Sequence, residues 1–244
     1  MKAVIFSGTT EGRTLSRAVA ALGADVTVCV ATDLGAEEQG CAPGITVRAG
    51  RLDAGEMTAL LQGAALCVDA THPYATEATR NIRAAATAAG VAYHRLLRPA
   101  SDLPAGSVVL ETAAQAAAYL AAKPGNVLLA TGAKELPAFA ALDPARLYPR
   151  VLPTLAGITA CEAAGIPHRN IIAMQGPFTL ELNVALLRQF AIAAMVTKDG
   201  GAAGGFAEKA EAAARCGVQL IVLRRPEEQG ENAETILQRC RELL

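Results

Sequence analysis

Short apolar runs alternate with stretches of helical spacing along the whole chain, and this alternation restricts the fold more than any other feature. Residues 3–6, 25–30, 45–47, 65–69 and 91–96 read as strands. Between them Leu15, Ala18, Val19 and Leu22 recur at helical intervals, 54–61 forms a helix, and an Ala-rich helix runs from about 77 to 89. After a Pro- and Gly-containing linker at 99–106 the pattern starts again. Strands are expected at 108–110, 127–130, 147–151, 171–174, 193–197 and 218–223. Helices are expected at 113–120, about 153–164, 180–190, 207–215 and 233–243, with a helical turn near 136–142. Strands that alternate with helices pair in parallel and are covered on both faces. The expectation is an α/β protein in two domains, 1–98 and 107–244.

Composition narrows the functional classes. Hydrophobic residues make up 52% of the 244 residues and charged ones 18%, enough apolar surface for packed cores. A net charge of -1 offers no global basic field for nucleic acid or anionic lipid. The six cysteines are scattered, with no C-x-x-C pair, and three histidines give no metal-ligand cluster. Free thiols fit a reducing, cytoplasmic setting. The first apolar run breaks at Gly8, too short for a secretory leader, and no stretch approaches the ~20 apolar residues of a membrane span.

In open parallel sheets, ligands lie at the carboxyl ends of the strands, so the strand-to-helix turns carry the functional signal. The first is Gly8-Thr-Thr-Glu-Gly12. Gly8 permits a tight turn, and Thr9, Thr10 and Glu11 stand where the free N–H groups of a helix start favour an anion. The glycine spacing differs from the usual dinucleotide pattern, and a plain capped turn would look similar. At the end of the second strand, Thr32 offers a hydroxyl for a 2′-phosphate, whereas Asp33 suits a ribose diol. The balance points to NADPH, with NADH as the alternative. The richest turn is Asp69-Ala-Thr-His-Pro-Tyr-Ala-Thr76, where Thr71, His72, Pro73 and Tyr74 stand between a strand and a helix. A histidine before proline is held out of the helical region, so the loop is stiff and presents polar tips.

In the second half, Lys198 and Asp199 end an apolar strand just before Gly200, Gly201, Gly204 and Gly205. A lysine there is rarely core, and glycines allow close backbone approach. Arg95, Arg98, Lys134 and Arg150 also stand at strand ends. Singly each reads as a surface charge; together they are candidates for an anionic substrate in a cleft between the halves. Arginine outnumbers lysine seventeen to five, and its planar fork suits carboxylates.

Taken in order, Gly8-Thr-Thr-Glu-Gly12, Asp69-Ala-Thr-His-Pro-Tyr-Ala75, Thr131-Gly-Ala-Lys134, Gln175-Gly-Pro-Phe178 with Glu181 and Asn183, and Val196-Thr-Lys-Asp199 with Gly204-Gly205 resemble the precorrin-6A and cobalt-precorrin-6A reductases of cobalamin biosynthesis. The one departure is Gly200, where serine would follow Lys-Asp. The resemblance covers nearly the whole chain. It implies two Rossmann-like parallel-sheet domains with an interdomain cleft, the first binding dinucleotide and the second substrate. It also implies NADPH or NADH as hydride donor and reduction of one C=C bond, C18–C19, of a corrin precursor to precorrin-6B or its cobalt form. Cofactor contacts fall on Gly8, Thr9, Thr10, Glu11, Gly12, Thr32, Thr71, His72, Pro73 and Tyr74. Contacts to the polycarboxylate tetrapyrrole fall on Arg95, Arg98, Lys134, Arg150, Gln175, Lys198, Asp199, Gly204 and Gly205. Tyr74, His72 and Lys198 are candidate proton donors. Two alternatives stand beside this reading: a tetrapyrrole methyltransferase using S-adenosylmethionine, and a non-enzymatic dinucleotide sensor.

Overall fold

The computed structural model describes residues 1–97, 102–201, 204–226 and 229–244. Arg98 and residues 99–101 of the expected linker lie outside the described residues. The chain forms two compact units, one of residues 1–98 with 226–244 and one of residues 99–225.

The first unit holds a five-stranded parallel sheet. Its strands are β1 (Lys2–Phe6), β2 (Asp25–Val30), β3 (Ile45–Ala49), β4 (Leu66–Asp69) and β5 (Tyr93–Arg95), in the order β3-β2-β1-β4-β5. β1, β2 and β4 are almost wholly buried because helices cover both faces. One face packs α1 (Thr10–Ala21) through Leu15 and Val19. The other packs α3 (Ala54–Leu61) and α4 (Thr76–Ala89) through Met57, Leu61, Ile82, Ala85 and Ala86. A short helix, α2 (Asp33–Gln39), follows β2 where the sequence reading has none. Its seven residues contain one large apolar side chain and so no periodic stripe. It is fixed by its Thr32 cap and by the Gln39 amide donating to Ser16 Oγ at 2.9 Å.

The second unit holds a six-stranded parallel sheet of β6 (Val108–Leu110), β7 (Asn126–Ala130), β8 (Leu147–Val151), β9 (Ile172–Ala173), β10 (Ile192–Lys198) and β11 (Gln219–Leu223). The order is β6-β11-β10-β7-β8-β9. Helices α5 (Ala113–Ala121) and α6 (Leu155–Ala163) pack with one core; α7 (Leu180–Gln189) and α8 (Phe206–Cys216) pack with the other.

The expected boundary at 107–244 needs correcting at its end. After β11 the chain returns to the first unit. Glu231 bridges Leu96 in parallel, and α9 (Ala233–Leu243) buries Ile236 and Cys240 in the same core as α1. Helical periodicity shows that α9 has an apolar stripe but not which sheet the stripe covers.

Candidate functional site

Each sheet has one place where the strand order reverses direction, and there two carboxyl-end loops part to leave a crevice. In the first unit this is between β1 and β4, which pair through Ala3↔Leu66 to Phe6↔Asp69. The loops leaving them are 7–12 and 70–75, two of the turns singled out by sequence. A hydrogen bond joins them: Thr9 Oγ1 donates to the Ala70 carbonyl at 2.9 Å. The same hydroxyl accepts from the Gly12 N–H at 3.0 Å and caps α1. Thr9 therefore contributes backbone rather than hydroxyl to any ligand. Gly12 is buried where the loops meet. A Cβ there would stand 2.5 Å from Ser7 Oγ and 2.9 Å from the Ala70 Cβ, so no larger residue fits without movement. Gly8, at φ 130°, has a backbone only glycine adopts readily. Thr9, Glu11, Ala70, Thr71, Pro73 and Leu96 line a small notch at this point. Thr10 is exposed at the start of α1. Thr32 follows the neighbouring β2 by two residues and caps α2, accepting from the Gly35 N–H at 3.1 Å.

Beneath the second loop lies a buried polar knot. Asp69 is fully buried. Its Oδ1 accepts from the Thr71 N–H (3.0 Å), the Thr71 hydroxyl (2.6 Å) and Arg95 Nη1 (2.7 Å), and its Oδ2 accepts from the Tyr93 hydroxyl at 2.9 Å. Burial, with the Asp69 charge behind it, pushes the Tyr93 phenol well above its ordinary range, so it stays a donor. Removing either member of the Asp69–Arg95 pair would strand the other charge, a loss of about 3–5 kcal/mol. Asp69 was visible in the motif yet absent from the expected site residues; its part is to hold Thr71 and the loop in place. Above the knot, His72 Nδ1 accepts from the Tyr74 N–H at 3.3 Å, and the two rings lie 5.5 Å apart. That bond leaves the neutral imidazole's proton on Nε2.

In the second unit the order reverses between β7 and β10, paired from Ile192↔Asn126 to Thr197↔Ala130. The chain leaves β7 through residues 131–132 into a 3-10 helix at Ala133–Phe139, and leaves β10 through residues 199–201. Lys198 Nζ meets Glu135 Oε1 at 2.7 Å, while Lys134 points to solvent. Asp199, buried, accepts from the Gly201 N–H at 3.1 Å and lies 4.0 Å from Arg225. Gly205, at φ 63°, starts α8; a Cβ there would stand 3.7 Å from the Cβ of Pro177, so the glycine loop abuts the 175–178 loop. Gln175 in that loop is exposed. Arg150 is buried, donates to Asn183 Oδ1 at 2.9 Å and stacks 4.0 Å from the Phe178 ring centroid. Asn183 itself is anchored by donating to the Thr179 carbonyl at 2.8 Å. Burial brings the Arg150 guanidinium down to about 10. Gly204 gives its carbonyl to Lys209 Nζ at 2.9 Å.

Sequence reasoning missed Lys209, which is 7% exposed, and whose ammonium is lowered to about 8 by burial first and by Arg150 next. A signal existed: Phe206, Lys209, Ala210 and Ala213 fall on one helical stripe, the buried one. Of three buried hydroxyls with no partner among the described residues, Ser7 Oγ, Ser107 Oγ and Thr131 Oγ1, it also missed the first and last, one at each strand-order reversal. Among the described residues, seven of nine α-helices carry a side-chain cap; α4 and α8 do not. In α8 the first N–H, that of Phe206, donates instead to the Gly201 carbonyl at 3.3 Å.

Two parallel sheets, each with polar and glycine-bearing turns at a reversal of strand order, define an α/β protein of two all-parallel sheets. Comparison with known proteins gives the family: residues 2–241 match the model described as "Precorrin-6x reductase CbiJ/CobK", and the chain belongs to that family. It is 37% identical to the cobalt-precorrin-6A reductase of Priestia megaterium over 230 residues, 91% of this chain and 90% of that protein. It is 34% identical to the cobalt-precorrin-6A reductase of Methanothermobacter thermautotrophicus, over 93% of this chain and 77% of that protein. A solved structure titled "CobK precorrin-6A reductase" superposes with a TM-score of 0.80 at 25% identity, covering 99% of this chain and 97% of the other. Membership of a reductase family speaks against the methyltransferase and sensor alternatives.

Proposed function

We propose that this chain reduces precorrin-6A or cobalt-precorrin-6A at the C18–C19 double bond with NADPH, NADH serving as the weaker donor. The observation that carries the cofactor assignment is the close approach at Gly12, which joins the turn after β1 to the loop after β4. The residues fit a pyrophosphate. The N-terminus of α1 supplies N–H groups and a favourable dipole, and the buried Ser7 hydroxyl has no partner among the described residues. Thr71, His72, Pro73 and Tyr74 form the adjoining wall, stiffened by the Asp69 knot. Thr32, at the start of α2, is the residue we assign to a 2′-phosphate.

The bound cofactor supplies the hydride. The chain supplies orientation, water exclusion, carboxylate binding and a proton. His72 Nε2–H and the Tyr74 hydroxyl are the proton donors nearest the cofactor wall; Lys198, held by Glu135, is the candidate in the second unit. Arg150 and the 199–205 loop, with Lys134 and Gln175 at its margin, suit a ligand rich in carboxylates through charge-assisted hydrogen bonds. The six free cysteines fit a reducing cytoplasm, and no helix among the described residues is long and apolar enough to cross a membrane.

The test is a paired assay. Purified protein is mixed with NADPH or NADH and with precorrin-6A or its cobalt form, and nicotinamide absorbance is followed. Substrate-dependent loss of absorbance, faster with NADPH, is expected. No loss with any of the four pairs would refute the enzyme reading.

A further inference from the structure

One helix of the first unit carries a polar stripe that nothing so far has used. Thr76, Thr79, Arg80, Arg83 and Thr87 recur at spacings of three and four along α4, opposite the buried Ile82, Ala85 and Ala86. The stripe forms one side of an open groove of about 940 Å³, with Arg95 at its base and Ala84, Pro226 and Gln229 completing the lining. No carboxylate is among the described lining residues; Glu227 and Glu228 lie outside them. Arg80 and Arg83 are exposed neighbours on the helix surface, about 5–6 Å apart at Cβ. Like charges so placed repel unless an anion sits between them. Arg80 has no hydrogen-bond or ion-pair partner among the described residues, whereas Arg83 is already oriented, 5.1 Å above the Tyr93 ring.

We propose that this α4 groove takes acetate and propionate arms of the tetrapyrrole, with Arg80 and Arg83 as its binding residues. The inference rests on the tetrapyrrole reading above. The size of the groove exceeds what a lone phosphate fills and suits an extended ligand. The threonine methyls, Ala84 and Pro226 give apolar wall for a macrocycle, and two adjacent guanidinium forks match carboxylate arms on neighbouring ring carbons. The groove also touches the Asp69 knot. Arg95 at its base holds Asp69, and Thr79 Oγ1 lies 3.3 Å from Thr71 Oγ1, so a ligand seated there lies against the support of the proposed cofactor wall.

The experiment compares the full chain with its R80Q/R83Q and R80K/R83K forms, circular dichroism reporting the fold. Two quantities are read: KM and kcat for cobalt-precorrin-6A with NADPH, and the affinity for uroporphyrin I, an octacarboxylate, by porphyrin fluorescence. In R80Q/R83Q, KM and the uroporphyrin dissociation constant are expected to rise by about tenfold or more, with kcat and NADPH affinity little changed. R80K/R83K is expected to recover part of the loss, since it keeps the charge without the bidentate fork. An unchanged KM, or a loss confined to NADPH affinity, would overturn the proposal. If the wild type turns over no tetrapyrrole, the reductase reading fails by itself. The uroporphyrin titration then decides the groove: equal affinity in wild type and R80Q/R83Q would refute it.

Discussion

At the scale of single residues, buried charge separates what the sequence tells from what only packing tells. Arg95 and Arg150 were legible as arginines at strand ends. Their partners were not, because Asp69 and Asn183 are 26 and 33 residues away and reach them only once the sheets form. Arg95 is committed inward, where it holds the β4 loop, and Arg150 is braced by Asn183 and Phe178. Lys209 is the sharpest case. Its ammonium is lowered from 10.5 to about 8, mainly by burial. The unfolded chain therefore binds this proton more tightly than the folded one, and stability rises with pH between about 8 and 10.5. Each tenfold displacement is worth about 1.4 kcal/mol, so the rise amounts to roughly 3 kcal/mol. Urea unfolding of wild type and Lys209→Met at pH 7.5, 9 and 10 should show the difference in favour of wild type growing with pH. A difference that stays flat would mean that Lys209 is not buried as a charge.

At the scale of elements, periodicity located eight of the nine α-helices and every strand among the described residues to within a few residues, since each rests on an apolar stripe or a β-branched run. α2 escaped because a cap and three side-chain hydrogen bonds with α1, from Arg13, Arg17 and Gln39, hold it in place of a stripe. The two switch-point loops of the first unit were legible as loops. That they touch was not, because the contact runs through Thr9 Oγ1 and the bare Cα of Gly12. Gly12→Ala tests this contact. Its methyl would overlap Ser7 Oγ and the Ala70 Cβ. Overpacking of this kind costs about 1–3 kcal/mol, and the loops must part to relieve it. Urea unfolding should register that loss, and fluorescence titration should show NADPH affinity falling about tenfold or more. Unchanged NADPH affinity in a folded Gly12→Ala protein would remove the glycine turn from the cofactor site.

At the scale of the whole molecule, the chain builds one parallel sheet, then a second, then returns to complete the first with α9. The doubling was legible in the repeated alternation. The return was not, since an amphipathic helix at the end of a chain fits either sheet equally well by pattern. Both sheets carry polar turns where strand order reverses, and we propose that the reversal between β1 and β4 holds the nicotinamide cofactor. Hydrogen–deuterium exchange of the full chain with and without saturating NADPH tests it most directly. The account predicts protection of amides in residues 7–13 and 69–77, with residues 198–206 unchanged by NADPH alone. Protection confined to 198–206 would contradict it.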